Sequence, residues 1–184
     1  MKKFVALCVM GVVAAACQFT SAADFKSGLQ VDEYPHAFNV TDVTGPSAGK
    51  KLCYRCQYSS RPVVSIFVRK MDANTAKLVK QLDEVVGKHE EKKMAAFVTV
   101  LSDDPDAQEA ALKKAAEEQK ISHTPLTVFE NAVGPTKYKI DEHANVTVMM
   151  WVDDNVKVNH AFADGDLSDA AIAKVIEDTA KILN

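Results

Sequence analysis

Within "KKLCYRCQYSS", residues 50–60, Cys53 and Cys56 form a C-x-x-C pair in a chain with only four cysteines. Two thiols at that spacing support three chemistries. They can exchange with partner thiols and disulfides, close a structural disulfide, or supply half of a metal site. Geometry sets a condition on all three. On a straight strand, residues three apart point to opposite faces with Cα atoms about 10 Å apart, too far for a disulfide. The pair can bond only if Tyr54 and Arg55 form a turn, which brings its ends within about 7 Å. The flanks are basic, with Lys50, Lys51, Arg55 and Arg61 and no acidic residue between them. Cations favour the thiolate, so Arg55 is the candidate for tuning the redox pair Cys53/Cys56.

A metal site would need roughly four ligands. The remaining candidates are His36, His89, His123, His143 and His160, none at ligand spacing from the cysteines, so no metal site and no cofactor is assigned. His123 and His160 read as surface or edge imidazoles, the commonest environment for that side chain.

The other two cysteines, Cys8 and Cys17, lie in an N-terminal segment with Lys2 and Lys3, an apolar run over residues 4–17, and the small residues "TSAAD". That is the pattern of a secretory signal cleaved after Ala22 or Ala23, and its apolar run is short for a membrane span. A rival reading makes Cys17 a lipid-modified residue, but "AAAC" lacks the large aliphatic residue expected three positions earlier. The chain therefore divides into a signal peptide (1–23), a loose lead-in (24–36) and one domain (37–184), exported to a periplasmic or extracellular space. Removing Lys2 and Lys3 lowers the basic count from 22 to 20 against 25 acidic residues, a balance of −5. This acidic balance argues against nucleic acid as a partner, and no later stretch is apolar enough to span a bilayer. Two close cysteines in an exported chain are commonly oxidised.

The elements that must position the pair follow from periodicity. "AFNVTDVTG" reads as a short strand ending in a Gly-Pro turn, and "VVSIFVR" (63–69) and "MAAFVTVL" (94–101) as buried neighbouring strands. A helix capped by Asp72 or Asn74 runs to about His89 with Leu78, Val79, Leu82, Val85 and Val86 in one stripe. Asp104-Pro105 starts a second helix that ends near Lys120. "PLTVFE" is a short strand, "AVGPTKYKI" a helical turn or loop, and two strands meet at a hairpin over Asp154-Asn155. A final helix runs from near Asp166 or Ser168 to about Leu183. Strand–helix–strand units with a closing hairpin imply an α/β fold with a mixed sheet.

Three passages, "FNVTDVTGPSAGKKL", "PLTVFENAVGPTKYKI" and "VTVMMWVDDNVKVNHAFA", make the chain resemble the thioredoxin-like superfamily in its peroxiredoxin and redoxin branch. The resemblance implies a three-layer α/β/α sandwich with a mixed central sheet. It also implies a reactive cysteine at the start of the first long helix, and there the chain has none. With Thr75 matched to the threonine of the peroxiredoxin pattern P-x-x-x-T-x-x-C, Met71 takes the proline's place and Leu78 the cysteine's. Peroxidase activity of the usual kind is therefore not expected, and the C-x-x-C is displaced upstream, without a helix N-terminus to activate it. Pro125 is a candidate for the cis-proline of that superfamily. Two functions stay open: thiol–disulfide exchange with protein thiols or disulfides, or a non-enzymatic binding or scaffold module stapled by Cys53–Cys56.

Overall fold

The computed structural model describes residues 26–183. The signal segment with Cys8 and Cys17 lies outside the described residues. β-branched and aromatic runs become strands: β1 (Val40–Asp42), β2 (Lys51–Leu52), β3 (Val63–Val68), β4 (Ala95–Leu101), β5 (Leu126–Phe129), β6 (Ala144–Val152) and β7 (Asn155–Ala163). They form one sheet in the order β2-β1-β5-β4-β3-β6-β7. β3, β4 and β5 run parallel, and the remaining neighbours pair antiparallel.

Side chains alternate across this sheet and so build two cores. Val64, Ile66 and Val68 face the first, together with Leu78, Leu82 and Val86 of α2 (Ala73–Lys88), Leu112 of α3 (Pro105–Gln119), Ile172 and Val175 of α4 (Asp169–Asp178) and Ile182 of α5 (Ala180–Leu183). Val63, Phe67 and Phe97 face the second, under Leu29, Tyr54 and Tyr138. The layer on that side consists of the five-residue α1 (Tyr54–Tyr58), a single-turn 3-10 helix at Thr136–Tyr138, and the N-terminal segment. The three-layer α/β/α arrangement with a mixed sheet is thus present, with the long helices on one face. No described helix is long and apolar enough to cross a membrane.

Capping sets the helix boundaries. The Asp72 carboxylate accepts from the Thr75 amide at 2.8 Å, Asp104 from Ala107 at 3.2 Å, and the Ser168 hydroxyl from Ala171 at 3.2 Å. Three expectations need correction. The final helix is broken at Thr179, whose hydroxyl donates to the Ile176 carbonyl at 2.7 Å and competes with the helical ladder. The β6–β7 turn is Asp153-Asp154, not Asp154-Asn155, and both turn residues have positive φ (51° and 59°). The lead-in is packed where it is described. Ser27 and Leu29 are buried, the Ser27 and Thr147 hydroxyls pair at 2.7 Å, and the Asn159 amide donates to the carbonyls of both Ser27 and Leu29. Further along, the Asp32 N–H donates to Val156 O at 2.9 Å and the Val156 N–H to Glu33 O at 3.1 Å. This strap hides part of β6 and β7 from solvent.

Candidate active site

The C-x-x-C pair bonds because its central residues turn as a helix. Tyr54 and Tyr58 stand four apart, on one face of α1, with ring centroids 5.3 Å from each other and 5.6 and 6.1 Å from Phe97. That aromatic face docks α1 on the sheet and turns Cys56 and Gln57 to solvent. Cys53 is the N-cap residue of α1, and the Cα atoms of the disulfide-bonded Cys53 and Cys56 are 5.2 Å apart. The Cys56 N–H donates to Cys53 Sγ at 3.1 Å. The expectation that the pair lacks a helix N-terminus is therefore corrected: a short helix starts on it, and a backbone amide points at one of its sulfurs. The two sulfurs are unlike, since Cys53 is half-buried and Cys56 exposed.

The basic flanks make tertiary contacts that their sequence positions do not show. The Arg55 guanidinium donates to Pro35 O at 2.7 Å, pairs with Asp154 Oδ1 at 2.7 Å and lies 4.7 Å from the Tyr34 ring centroid. Its charge is matched by Asp154, which weakens any effect on the sulfurs, and its geometry is that of an anchor. Lys51 pairs with Glu130 at 2.6 Å, and Arg61 donates to Lys93 O at 2.6 Å while lying over the Tyr58 ring. Of the four cations, Lys50 alone has an ammonium without a hydrogen-bond or ion-pair partner among the described residues.

Beneath the pair is a polar knot that spacing did not reveal. The Tyr54 hydroxyl donates to Asp42 Oδ2 at 2.8 Å, and the same carboxylate accepts the Gly45 and Ser47 amides at 2.8 Å each. Both Asp42 and Tyr54 are 1% exposed. Burial first, and the Asp42 carboxylate second, push the Tyr54 phenol far above its ordinary pKa. Burial likewise raises Tyr58 to about 12, against the opposing pull of Arg61. Gly45 has no room for a side chain: a Cβ there would collide with the Tyr54 hydroxyl and come within 2.7 Å of Asp42. A groove of about 450 Å³ borders α1 at Tyr58, with Gly45, Pro46, His123 and Pro125 along its walls.

No group of three or more His, Cys, Asp or Glu residues among those described is arranged to hold a metal ion. Every peptide bond described is trans, so Pro125 is not a cis-proline; its carbonyl accepts the Val98 amide at 2.9 Å. His160, expected at a surface or edge, is half-buried and bonds Asp178 at 3.0 Å, beside Lys174 and Lys181.

Comparison of this architecture with solved structures finds the same fold at low sequence identity. A protein from Bacteroides thetaiotaomicron, provisionally assigned as a protein disulfide isomerase, superposes with a TM-score of 0.66 at 13% identity, over 86% of this chain and 94% of that one. The thioredoxin domain of a thiol-disulfide oxidoreductase from Bacteroides vulgatus gives 0.60 at 14% identity, over 85% and 99%. Peroxidoxin BcpB from Mycobacterium tuberculosis gives 0.57 at 18% identity, over 85% and 99%. The fold is thioredoxin-like. No protein-family model matches the chain, and no curated protein matches its sequence.

Within the thioredoxin-like fold the position after the first central strand is empty of cysteine, as the sequence implied. β3 leads through Lys70 and Met71 into α2, and Leu78 is fully buried on its core face. α1 instead leads into the start of β3, where Ser60 O accepts the Asp153 amide at 3.0 Å. A strand of six residues, roughly 17 Å long, separates the two helix junctions.

Proposed function

We propose that the protein is an exported thiol–disulfide exchange protein acting through Cys53 and Cys56. The observation that carries this reading is the asymmetry of the pair. Cys56 is open to an incoming thiolate, and Cys53 has an amide aimed at its sulfur. A partner thiolate attacks Cys56 Sγ, the Cys53–Cys56 bond breaks, and Cys53 leaves as a thiolate stabilised by that amide. The partner's second thiolate then attacks its own sulfur in the mixed disulfide and releases Cys56 as a thiolate. The partner dithiol loses two electrons and two protons and becomes a disulfide; the pair gains them. The reverse sequence reduces a partner disulfide. Analogy with C-x-x-C enzymes favours Cys53 as the first contact, but its half-burial favours Cys56.

The scaffold reading requires the disulfide to be a strong staple, which its size opposes. A four-residue ring removes little chain entropy, worth about 2 kcal/mol. α1 is already held by the Tyr54–Asp42 bond and the three contacts of Arg55. Support for export comes from the signal-like N-terminal pattern.

Single-serine variants test the order of events. The Cys53→Ser protein, which keeps Cys56, should form a stable mixed disulfide with oxidised glutathione faster than Cys56→Ser. Faster trapping on Cys56→Ser would reverse the order, and no trapping on either would end the exchange reading.

A further inference from the structure

α1 joins three parts of the molecule that are remote in sequence. Its sulfurs form the disulfide, Tyr54 reaches Asp42, and Arg55 reaches back to the strap and across to the β6–β7 turn. The strap contacts are specific. Arg55 Nε holds the Pro35 carbonyl, its guanidinium lies against the Tyr34 ring, and its second nitrogen holds Asp154. The side chain is only 11% exposed, so it is set by packing as well as charge. A five-residue helix has almost no stability of its own and depends on what ties it down.

The strap is anchored in two distinct ways. Residues 27–29 are buried and fastened to Thr147, Met149 and Asn159. Residues 31–36 rest on Arg55, on the backbone bonds with Val156, on the Glu33–Lys139 pair at 2.7 Å, and at their end on the buried Tyr138, whose hydroxyl donates to His36 O at 2.7 Å. Val31 and Tyr34 are 54% and 50% exposed, and Pro35 is the only buried residue of this second half. Beneath the strap's side of the sheet lie Trp151 and Val156, both fully buried.

We propose that the Cys53–Cys56 disulfide is a redox-sensitive latch on residues 31–36 of the strap, with Arg55 as the link. With the disulfide closed, α1 is fixed and Arg55 holds Tyr34 and Pro35. A dithiol that reduces the pair, itself becoming a disulfide, leaves two thiols and removes the ring closure. α1 stays docked by Tyr54 and Arg55 most of the time but opens more often, and residues 31–36 open with it as one local unit, while residues 27–29 stay seated. The redox state of the sulfurs is thereby transmitted to the segment bonded to Val156 along the edge of the sheet. This rests on the exchange reading only in that a dithiol must reach Cys56.

Amide hydrogen exchange on the oxidised protein and on the protein reduced with dithiothreitol tests the latch. Loss of a four-residue ring should speed local opening about twentyfold. The amides of Asp32 and Gln57, which donate to Val156 O and Cys53 O, should both accelerate by about that factor. The Gly28 amide, bonded to Lys139 O, and the amides of α3 should not change. In the oxidised Arg55→Ala variant, Asp32 should exchange faster while Gln57 keeps its protection; Arg55→Lys, which keeps a charge for Asp154, should fall between. An unchanged Asp32 amide on reduction would overturn the proposal, whether or not Gln57 accelerates. Equal acceleration of Gly28 and α3 would also overturn it, as global destabilisation. Glutathione exchange measured on the same samples separates the two claims, because the latch can fail while exchange persists. Dithiothreitol reduction tests the latch even if glutathione does not exchange.

Discussion

Converting both cysteines to serine should cost the fold little. The ring closed by the disulfide spans four residues, and chain entropy assigns it about 2 kcal/mol. For a domain of this length each kcal/mol moves Tm by about 2–4 °C, so the double variant should melt roughly 4–8 °C lower. Chemical denaturation of the oxidised protein, the reduced protein and the double variant gives the same quantity at constant temperature. Reduced protein and double variant should agree within about 0.5 kcal/mol, because serine keeps an acceptor for the Cys56 amide. The loss stays small because Tyr54, Asp42 and Arg55 hold α1 independently of the sulfurs. A loss of about 5 kcal/mol or more on reduction would refute this reasoning and make the disulfide a staple.

Tyr54→Phe removes one of three donors to a buried carboxylate and should cost about 2 kcal/mol, read as a lower denaturation midpoint. In Cys56→Ser, the lone Cys53 should alkylate with an apparent pKa below the usual 8.5 or so, because the residue-56 amide still points at its sulfur. Burial pushes the His160 imidazole below its ordinary pKa of about 6.5, against the pull of Asp178. The unfolded chain then binds the extra proton first, so stability falls as pH drops below about 6.5, and His160→Gln should flatten that part of the stability–pH profile. With Leu78 in the nucleophile's place, hydrogen peroxide and a thiol reductant should give no peroxidase turnover.

The strands and long helices were legible because their signals are local. The alternating and continuous apolar runs at 63–69 and 94–101, and the caps at Asp72 and Asp104, each declare an element within a few residues. The empty nucleophile position was legible for the same reason. The partners of the cations were not, because Arg55 finds Asp154 some hundred residues away and Lys51 finds Glu130 across the sheet edge. Adjacent positive charges in sequence suggested thiolate tuning; what sequence could not show is that Arg55 and Lys51 meet carboxylates while, among the described residues, Lys50 and Arg61 do not. α1 was missed as a helix because five residues carry no period, and its Tyr54–Tyr58 spacing acquires meaning only against Phe97. The lead-in, 24–36, read as loose, although side chains of β6 and β7 hold Ser27 and Leu29.

The equilibrium between the Cys53–Cys56 pair and a graded glutathione buffer tests thiol–disulfide exchange most directly. An exchange protein with a low-entropy ring and a stabilised leaving thiolate should have a reduction potential of about −120 to −270 mV. A potential below about −300 mV would mark the pair as a structural disulfide and contradict the proposed function.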